Sequence, residues 1–511
     1  MQISVVSQQQ GLVSTQEGAR SDLAWLLLCA GIVALVHLFT NVRFGFHRDE
    51  WQVLSDALHL DWGFVPYPPF TPFIERIGLM LFGLWLPGLR LFSVIAQAIV
   101  VVVSGLMARE LGGGRKGQLM AAMTVALSPL PLFEGTEFQY TSFDYLWWVL
   151  TAYFVIRLLT TENPRWWLAI GAAMGAGTQT KYTIFFLAAG IFAGLLFTPS
   201  RRYFRSVWLW AGIALALLIF LPNLIWQARH DFVYWRFLQA IHARDVSEGR
   251  ADHFFFNQVT RCTNPFTLPL WLAGLYGYLQ ERRYRLLAWM YLMPLALLVA
   301  GQGRGYYLGA AYPMLFAMGA VLVLRWLASR PQRLRRVLAG VFFVGFSAYG
   351  LGAAAAILPL SATGPLMRFA LHYNGDLREE LGWGDIVQTV ASIRDKLPPA
   401  QQAHAGILVG NYGEQGAVEM LGSRYHLPAP ISRTNSAWLR GYPVPPPTTL
   451  IVLGSSREWA EHYLTDCHLA GHISHPYGMQ NEESRDHPDI FVCGAPRMPW
   501  PEFWQKDRRF G

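Results

Sequence analysis

The sequence predicts a polytopic α-helical membrane protein with about eleven transmembrane helices and a C-terminal soluble α/β domain. Charged residues make up 14% of the 511 residues, and hydrophobic residues make up 53%. A typical soluble domain carries about 25% charged residues. Apolar segments of spanning length alternate with short polar segments until about residue 360. After that point, short apolar runs typical of strands alternate with amphipathic helical patterns.

Three regions follow from this pattern. They are a polar N-terminal tail (1–20), a transmembrane domain (21–362) and an external α/β domain (363–511). An amphipathic first external loop occupies residues 43–88. The predicted spans are about 23–40, 89–111, 118–133, 143–160, 166–177, 184–197, 207–226, 265–279, one ending near 300, one after 301–307, and 337–360.

The distribution of basic residues predicts the orientation of the chain in the membrane. With a cytoplasmic N-terminus, every loop assigned to the cytoplasmic side is basic, as the positive-inside rule expects. The net charge of +8 is therefore an orientation signal and does not indicate nucleic-acid binding. The C-terminal domain falls on the external side, where Cys467 and Cys493 could pair in an oxidising compartment. The sequence leaves that pairing open.

The segment 44–75 is the most informative part of the external face. Its Pro-rich, irregular backbone cannot lie in lipid, because its polar groups would be unpaired there. Asp49 and Glu50 open the segment, and a carboxylate fixed at the membrane surface is a candidate general base. The simpler interpretation is a helix N-cap. The surrounding candidate substrate-loop residues, which favour a functional role, are His47, Arg48, Pro68 and Pro69.

Other external segments contribute a further acid and two cations. Asp144 begins a predicted helix, where it could bind a metal, position an acceptor or simply cap the helix. Lys181 and Arg304 lie on the same face, and phosphate leaving groups need such donors. The simpler interpretation of each cation is snorkelling to the interface. The tyrosines beside these cations are Tyr182, Tyr306 and Tyr307.

A metal site is conceivable in the long external segment 227–264, which is too long for a simple connector. Its spacings match no familiar ligand pattern, and its aromatic content favours a half-buried interfacial loop. The metal ligands therefore stay unknown, and a divalent metal is possible. The candidate ligands are His230, Asp231, His242, Asp245, Asp252 and His253.

The first external loop resembles that of the protein O-mannosyltransferase type, glycosyltransferase family 39. The residues that carry the resemblance are FHRDEWQVLSDALHLDWGFVPYPPFTPFIERI. Bacterial members of this family include relatives of the lipid A aminoarabinose transferases. Weaker matches are TSFDYLWWVLTAYFVIRLL, TKYT, PNLIWQARHDF and GRGYYLGAAYP in the membrane part, with LGWGD and NYGEQGAVEML in the tail.

The resemblance implies a C-type glycosyltransferase fold, a polyprenyl-phosphate sugar donor and an active site at the external leaflet. It implies that Asp49 is the catalytic carboxylate, with Glu50 beside it, and that Asp144 is the second-loop acid. It also implies that Lys181 and Arg304 hold the lipid phosphate. The acceptor, whether lipid, glycan or protein, does not follow from it. The expected setting is a bacterial inner membrane with the C-terminal domain periplasmic or extracellular.

The function expected from these features is transfer of a sugar from a polyprenyl-phosphate donor to an acceptor at the external leaflet. The alternative is a transporter or flippase of lipid-linked sugars, which often has paired halves and broken helices at the midplane. The sequence shows no similarity between its halves, and its charges cluster at helix ends on one face. A non-catalytic scaffold would leave the acid pair and the opposing cations without a role.

Overall fold

The computed structural model describes residues 22–475, 480–506 and 508–511. The predicted polar tail, residues 1–20, lies outside these ranges. The helices of the membrane part are α1 (Asp22–Thr40), α2 (Arg48–Leu58), α3 (Phe70–Phe82), α4 (Leu86–Glu110), α5 (Arg115–Ala126), α6 (Pro129–Glu134), α7 (Tyr140–Thr161), α8 (Trp166–Thr178), α9 (Ile184–Phe197), α10 (Val207–Arg229), α11 (Val233–Ser247), α12 (Phe254–Asn257), α13 (Leu268–Gln280), α14 (Arg285–Ala300), α15 (Tyr312–Ala328) and α16 (Gln332–Ile357).

Six of the described helices are long and apolar enough to cross a membrane. There are seven if α9 and the short helix Pro199–Arg205, which meet at a bend of 100°, count together as one span. The chain is therefore a multi-pass membrane protein, and the predicted number of eleven spans is not confirmed. The difference arises because several predicted spans form shorter helices: α8 has 13 residues and α13 also has 13. The predicted span 118–133 is divided between α5 and α6, where Pro129 begins a new helix.

Small residues allow neighbouring helices to approach closely. A side chain at Gly171 of α8 would overlap the backbone of Gly212 in α10, and one at Gly319 of α15 would overlap the backbone of Leu270 in α13. Within a membrane the hydrophobic effect does not drive helices together. Glycine at a crossing instead lets two backbones approach closely and pack by van der Waals contact. These contacts hold α8 against α10 and α13 against α15.

The segment 227–264, predicted to be an interfacial loop, contains the 15-residue helix α11. Asp231 and Phe232 have positive φ values of 53° and 50°, and the chain turns there between α10 and α11. The mixed polar and aromatic composition of the segment hides the helix from a search for apolar periodicity. Asp245 lies near the end of α11 and reappears in the candidate site.

The C-terminal part forms a five-stranded mixed sheet in the order β2-β1-β3-β5-β4, in which β1, β2 and β3 are parallel. The strands are β1 (Ala405–Val409), β2 (Pro430–Ser432), β3 (Thr449–Val452), β4 (His468–His472) and β5 (Asp489–Cys493). The helices are α17 (Gly364–Tyr373), α18 (Trp383–Lys396), α19 (Pro399–Gln402), α20 (Tyr412–Leu421), α21 (Asn435–Arg440), α22 (Arg457–Tyr463), α23 (Glu482–Asp486) and α24 (Trp500–Lys506). The predicted α/β character is present, and Cys467 and Cys493 form a disulfide.

The apolar face of α2 packs against the C-terminal domain. Trp51 and Leu54 of α2 belong to the same buried cluster as Trp383 and Ile386 of α18 and Ile407 of β1. Burial of large apolar side chains stabilises such contacts by about 1.5–3 kcal/mol each. The helix that carries the acid pair is thus packed against the C-terminal domain.

Candidate active site

Asp49 lies in the first turn of α2 with its side chain free of a capping role. The N-cap is His47, whose Nδ1 accepts a hydrogen bond from the backbone N–H of Asp49 at 3.1 Å. Burial lowers the pKa of His47, which favours the neutral ring that such a cap requires. The half-buried carboxylate of Asp49 accepts a hydrogen bond at 2.9 Å from the hydroxyl of Tyr412 in α20. The capping interpretation of Asp49 therefore does not describe this helix.

Glu50 is fully engaged in hydrogen bonds. Its two oxygens accept from Nε and Nη2 of Arg90 at 2.8 and 2.7 Å, and from the backbone N–H groups of His47 and Phe138 at 2.7 and 2.8 Å. Both charged side chains are 1% exposed. Four donors fix the position of this carboxylate, so the geometry gives Glu50 the role of a positioning residue.

Arg90 is the centre of a buried acidic cluster that sequence reasoning missed. It also donates to Glu380 of the C-terminal domain at 3.3 Å. Glu137 lies nearby, and its Oε2 is 3.5 Å from Nδ1 of His47. Burial, together with the charges of Glu380 and Glu50, raises the pKa of Glu137 well above its ordinary value. A single arginine at the start of an apolar helix gave no sequence signal for this cluster.

Lys181 lies in a cage of three tyrosine rings. Its Nζ is 4.4 Å from the ring centroid of Tyr307, 4.9 Å from that of Tyr140 and 5.0 Å from that of Tyr306. The side chain is buried, and within the described ranges no carboxylate lies at ion-pair distance from it. Aromatic faces attract a cation without neutralising it. The cage therefore holds a desolvated positive charge that remains available to an anion.

Asp144 and Glu134 interact electrostatically with Lys181. Asp144 is buried, and its Oδ2 accepts a hydrogen bond from the Thr183 hydroxyl at 2.6 Å. Since α7 begins at Tyr140, Asp144 lies in the second turn of the helix and is not its cap. Burial raises the pKa of Glu134 to about 7, so this acid carries only part of a charge at neutral pH.

Arg304 is held by a residue that the sequence did not connect to it. Its Nε and Nη2 donate to the two oxygens of Asp245 at 2.6 Å each. Asp245 is 7% exposed and Arg304 is 22% exposed. The paired guanidinium interacts electrostatically with Tyr306 and Tyr307. The structure thus brings Arg304 to the same tyrosines that surround Lys181.

The remaining predicted residues contact neighbours of the candidate site. The hydroxyl of Tyr182 donates to Asn223 at 2.6 Å, and its ring packs on Tyr234. Arg48 pairs with Glu482 and lies over the Tyr412 ring. Pro68 precedes Pro69, which is the N-cap residue of α3. The backbone N–H of the next residue, Phe70, donates to the backbone carbonyl of Gln179, two residues before Lys181, at 2.8 Å.

One tyrosine connects the acid to the caged cation. Tyr140 interacts electrostatically with Asp49 and with the two cage tyrosines. Asp49 and the caged Lys181 are therefore both neighbours of Tyr140. Within the described ranges, no group of three or more His, Cys, Asp or Glu could hold a metal ion. The six candidate ligands in the segment 227–264 do not form such a group.

Comparison with solved structures places the fold in the class of C-type membrane glycosyltransferase folds. The crystal structure of ArnT from Cupriavidus metallidurans bound to undecaprenyl phosphate matches with a TM-score of 0.56 at 14% identity, over 92% of this chain and 98% of that chain. At this level of identity, the match concerns the fold.

The sequence comparisons show which proteins the chain is similar to. Residues 66–226 match the family described as dolichyl-phosphate-mannose-protein mannosyltransferase. The chain is 29% identical over 280 residues to an undecaprenyl phosphate-α-4-amino-4-deoxy-L-arabinose arabinosyl transferase of Pseudomonas fluorescens, covering 50% of each. It is 27% identical over 269 residues to a lipid A galacturonosyltransferase of Rhizobium johnstonii, covering 50% of this chain and 55% of that protein.

The predicted resemblance is therefore confirmed: the chain is similar to the family 39 glycosyltransferases and to bacterial aminoarabinose transferases. The matches span about half the length of these two curated relatives. The comparisons do not favour a transporter or flippase.

Proposed function

We propose that the protein is a glycosyltransferase that moves a sugar from a polyprenyl-phosphate donor to an acceptor at the external leaflet. The observation that carries this proposal is the proximity of both Asp49 and the caged Lys181 to Tyr140. A carboxylate suits the acceptor side of such a reaction and a desolvated cation suits its phosphate side. The names of the relatives, which are transferases of lipid-linked or lipid A sugars, support it.

In the proposed reaction, the acceptor hydroxyl attacks the anomeric carbon while its proton passes to Asp49. The bond from the anomeric carbon to the phosphate oxygen breaks, and polyprenyl phosphate leaves with the bonding electron pair. Lys181 and Arg304 stabilise the charge that develops on this leaving group. A single displacement inverts the anomeric centre, so a product of retained configuration would contradict the proposal.

The test is transfer of radiolabelled sugar from polyprenyl-phosphate donors to membrane fractions, in vesicles carrying the parent protein, Asp49→Asn or Asp395→Asn. Asp395 is an exposed carboxylate of the C-terminal domain and serves as the matched control. We expect label to move with the parent and the control, and to fall by about 100-fold or more with Asp49→Asn, as for loss of a general base.

Each other outcome changes a specific part of the proposal. Equal transfer by the parent and by Asp49→Asn would remove Asp49 as the base. No transfer by the parent from a broad panel of donors would overturn the proposed activity, and translocation of the lipid-linked sugar would then be measured in the same vesicles.

A further inference from the structure

Helix α20 of the C-terminal domain approaches helix α2, which carries Asp49, more closely than residues with a Cβ atom would allow. A side chain at Gly416 would overlap the backbone oxygen of Trp51, and one at Gly413 would overlap the Arg48 side chain. Both contacts are made to the turns of α2 that carry or follow Asp49. The two glycines therefore set the distance between the C-terminal domain and the proposed base.

The start of α20 is fixed by a reciprocal cap. Asn411 accepts a hydrogen bond from the backbone N–H of Glu414 at 2.9 Å, and Glu414 accepts from the backbone N–H groups of Gly410 and Asn411 at 2.8 and 3.3 Å. Such a capping box determines where a helix begins. Tyr412 is thus the first helical residue, and its position follows from the cap and from the glycine contacts.

The hydroxyl of Tyr412 forms a hydrogen bond with one side-chain atom of the membrane part. It donates to Oδ1 of Asp49 at 2.9 Å, while the Arg48 guanidinium lies 5.5 Å from its ring centroid. No residue in the described ranges donates a hydrogen bond to Oδ2 of Asp49. One carboxylate oxygen is therefore anchored by the C-terminal domain, and the other can receive a proton.

We propose that the C-terminal domain completes the active site by supplying Tyr412 as the residue that positions Asp49. The hydrogen bond to Oδ1 holds the carboxylate plane so that Oδ2 faces the acceptor hydroxyl. Hydrogen bonds to charged groups are stronger than neutral ones and restrict orientation. This inference rests on the proposed transferase function, and it gives the C-terminal domain a part in the chemistry.

The kinetic test compares the parent with Tyr412→Phe and Tyr442→Phe in the transfer assay. Phenylalanine keeps the ring under Arg48 and removes only the hydroxyl. Tyr442 stacks on Trp500 and Trp504, away from Asp49, so Tyr442→Phe is the matched control. We expect Tyr412→Phe to lower kcat by about 10- to 100-fold, the effect of losing a hydrogen bond to a charged group, with the donor KM unchanged.

The outcomes separate the two proposals. An active parent with an unchanged kcat in Tyr412→Phe would overturn the inference alone. A raised donor KM with an unchanged kcat would also overturn it, because the residue would then act in donor binding. An inactive parent would overturn the proposed function, and the contact itself would be tested by a second measurement.

That second measurement is the titration of 3-fluorotyrosine at position 412 by fluorine NMR, in the otherwise unchanged protein and in Asp49→Asn. Burial first, and the charge of Asp49 second, raise the pKa of Tyr412. We expect Asp49→Asn to lower the pKa of the fluorophenol measurably. An unchanged titration would show that the two groups do not interact, and it would overturn the inference whatever the activity.

Discussion

Arg90 and Glu50 form a buried bidentate pair, with nitrogen–oxygen distances of 2.8 and 2.7 Å and 1% exposure of each side chain. The pair joins the first turn of α2 to the transmembrane helix α4. The same guanidinium reaches Glu380 of the C-terminal domain. One residue of a spanning helix therefore fixes both the turn that carries Asp49 and the domain that covers it.

Replacing Arg90 with glutamine is expected to lower the free energy of unfolding by about 3–5 kcal/mol, because it leaves a buried carboxylate without its partner. Denaturant unfolding of the detergent-solubilised protein measures this change. Arg109→Gln is the control, since Arg109 is 35% exposed in its pair with Glu110. Equal stability of the two variants would contradict a structural role for the Arg90 pair.

Removal of the caged cation is expected to weaken donor binding. Lys181→Met keeps most of the side-chain length and loses the charge, so the affinity for polyprenyl phosphate should fall by about 10- to 100-fold, corresponding to about 1.5–3 kcal/mol for a hydrogen bond to a charged group. Direct binding of polyprenyl phosphate to the purified protein measures the loss. Lys396→Met, at an exposed position of the C-terminal domain, should bind as the parent does. Unchanged binding by Lys181→Met would remove Lys181 from the phosphate site.

Stability is expected to fall as the pH rises from about 5 to about 7. Burial raises the pKa of Glu414 from its ordinary value of 4.5 to about 7. Between these values the folded state holds a proton that the unfolded state has lost, so ionisation favours unfolding. The shift corresponds to about 3 kcal/mol of stability, present below pH 4.5 and lost as the pH passes 7.

The unfolding temperature, followed by tryptophan fluorescence from pH 5 to pH 8, checks this expectation. Glu414→Gln keeps an oxygen for the Gly410 and Asn411 N–H groups but does not titrate, so its pH dependence should be smaller than that of the parent. Glu461→Gln, at an exposed position, should retain the full dependence. A rise in unfolding temperature with pH in the parent would show that the sign is wrong.

The sequence predicted most helices and strands because their apolar patterns are regular. The predicted helix 184–197 and the predicted strand 489–493 coincide with α9 and β5. Prediction failed where a pattern was mixed or interrupted, as in α11 and at the break before Pro129. The span count depends on how short apolar helices are joined, and apolarity alone does not determine this.

The sequence proposed the candidate site residues by residue type and did not identify their partners. Asp49 was chosen because a carboxylate fixed at a membrane surface is unusual, and Lys181 and Arg304 because basic residues usually avoid the predicted external face. Their partners, Tyr412, Tyr140 and Asp245, lie in other segments, and Tyr412 is 363 residues from Asp49. Contacts at such separation depend on tertiary packing, for which a single sequence carries no local signal. The engagement of Glu50 by Arg90 was missed for the same reason.

The close approach of α20 to α2 provides a last prediction, at a position with no functional side chain. Gly416→Ala places a Cβ against the backbone oxygen of Trp51, and overpacking of this kind typically costs about 1–3 kcal/mol. The added methyl should push α20 away from α2 and lengthen the Tyr412–Asp49 contact. Transfer activity should fall toward that of Tyr412→Phe while the C-terminal domain stays folded by circular dichroism. Gly384→Ala is the matched control, because a Cβ there meets nothing within 4 Å. Full activity in Gly416→Ala would mean that catalysis does not depend on how closely the C-terminal domain docks.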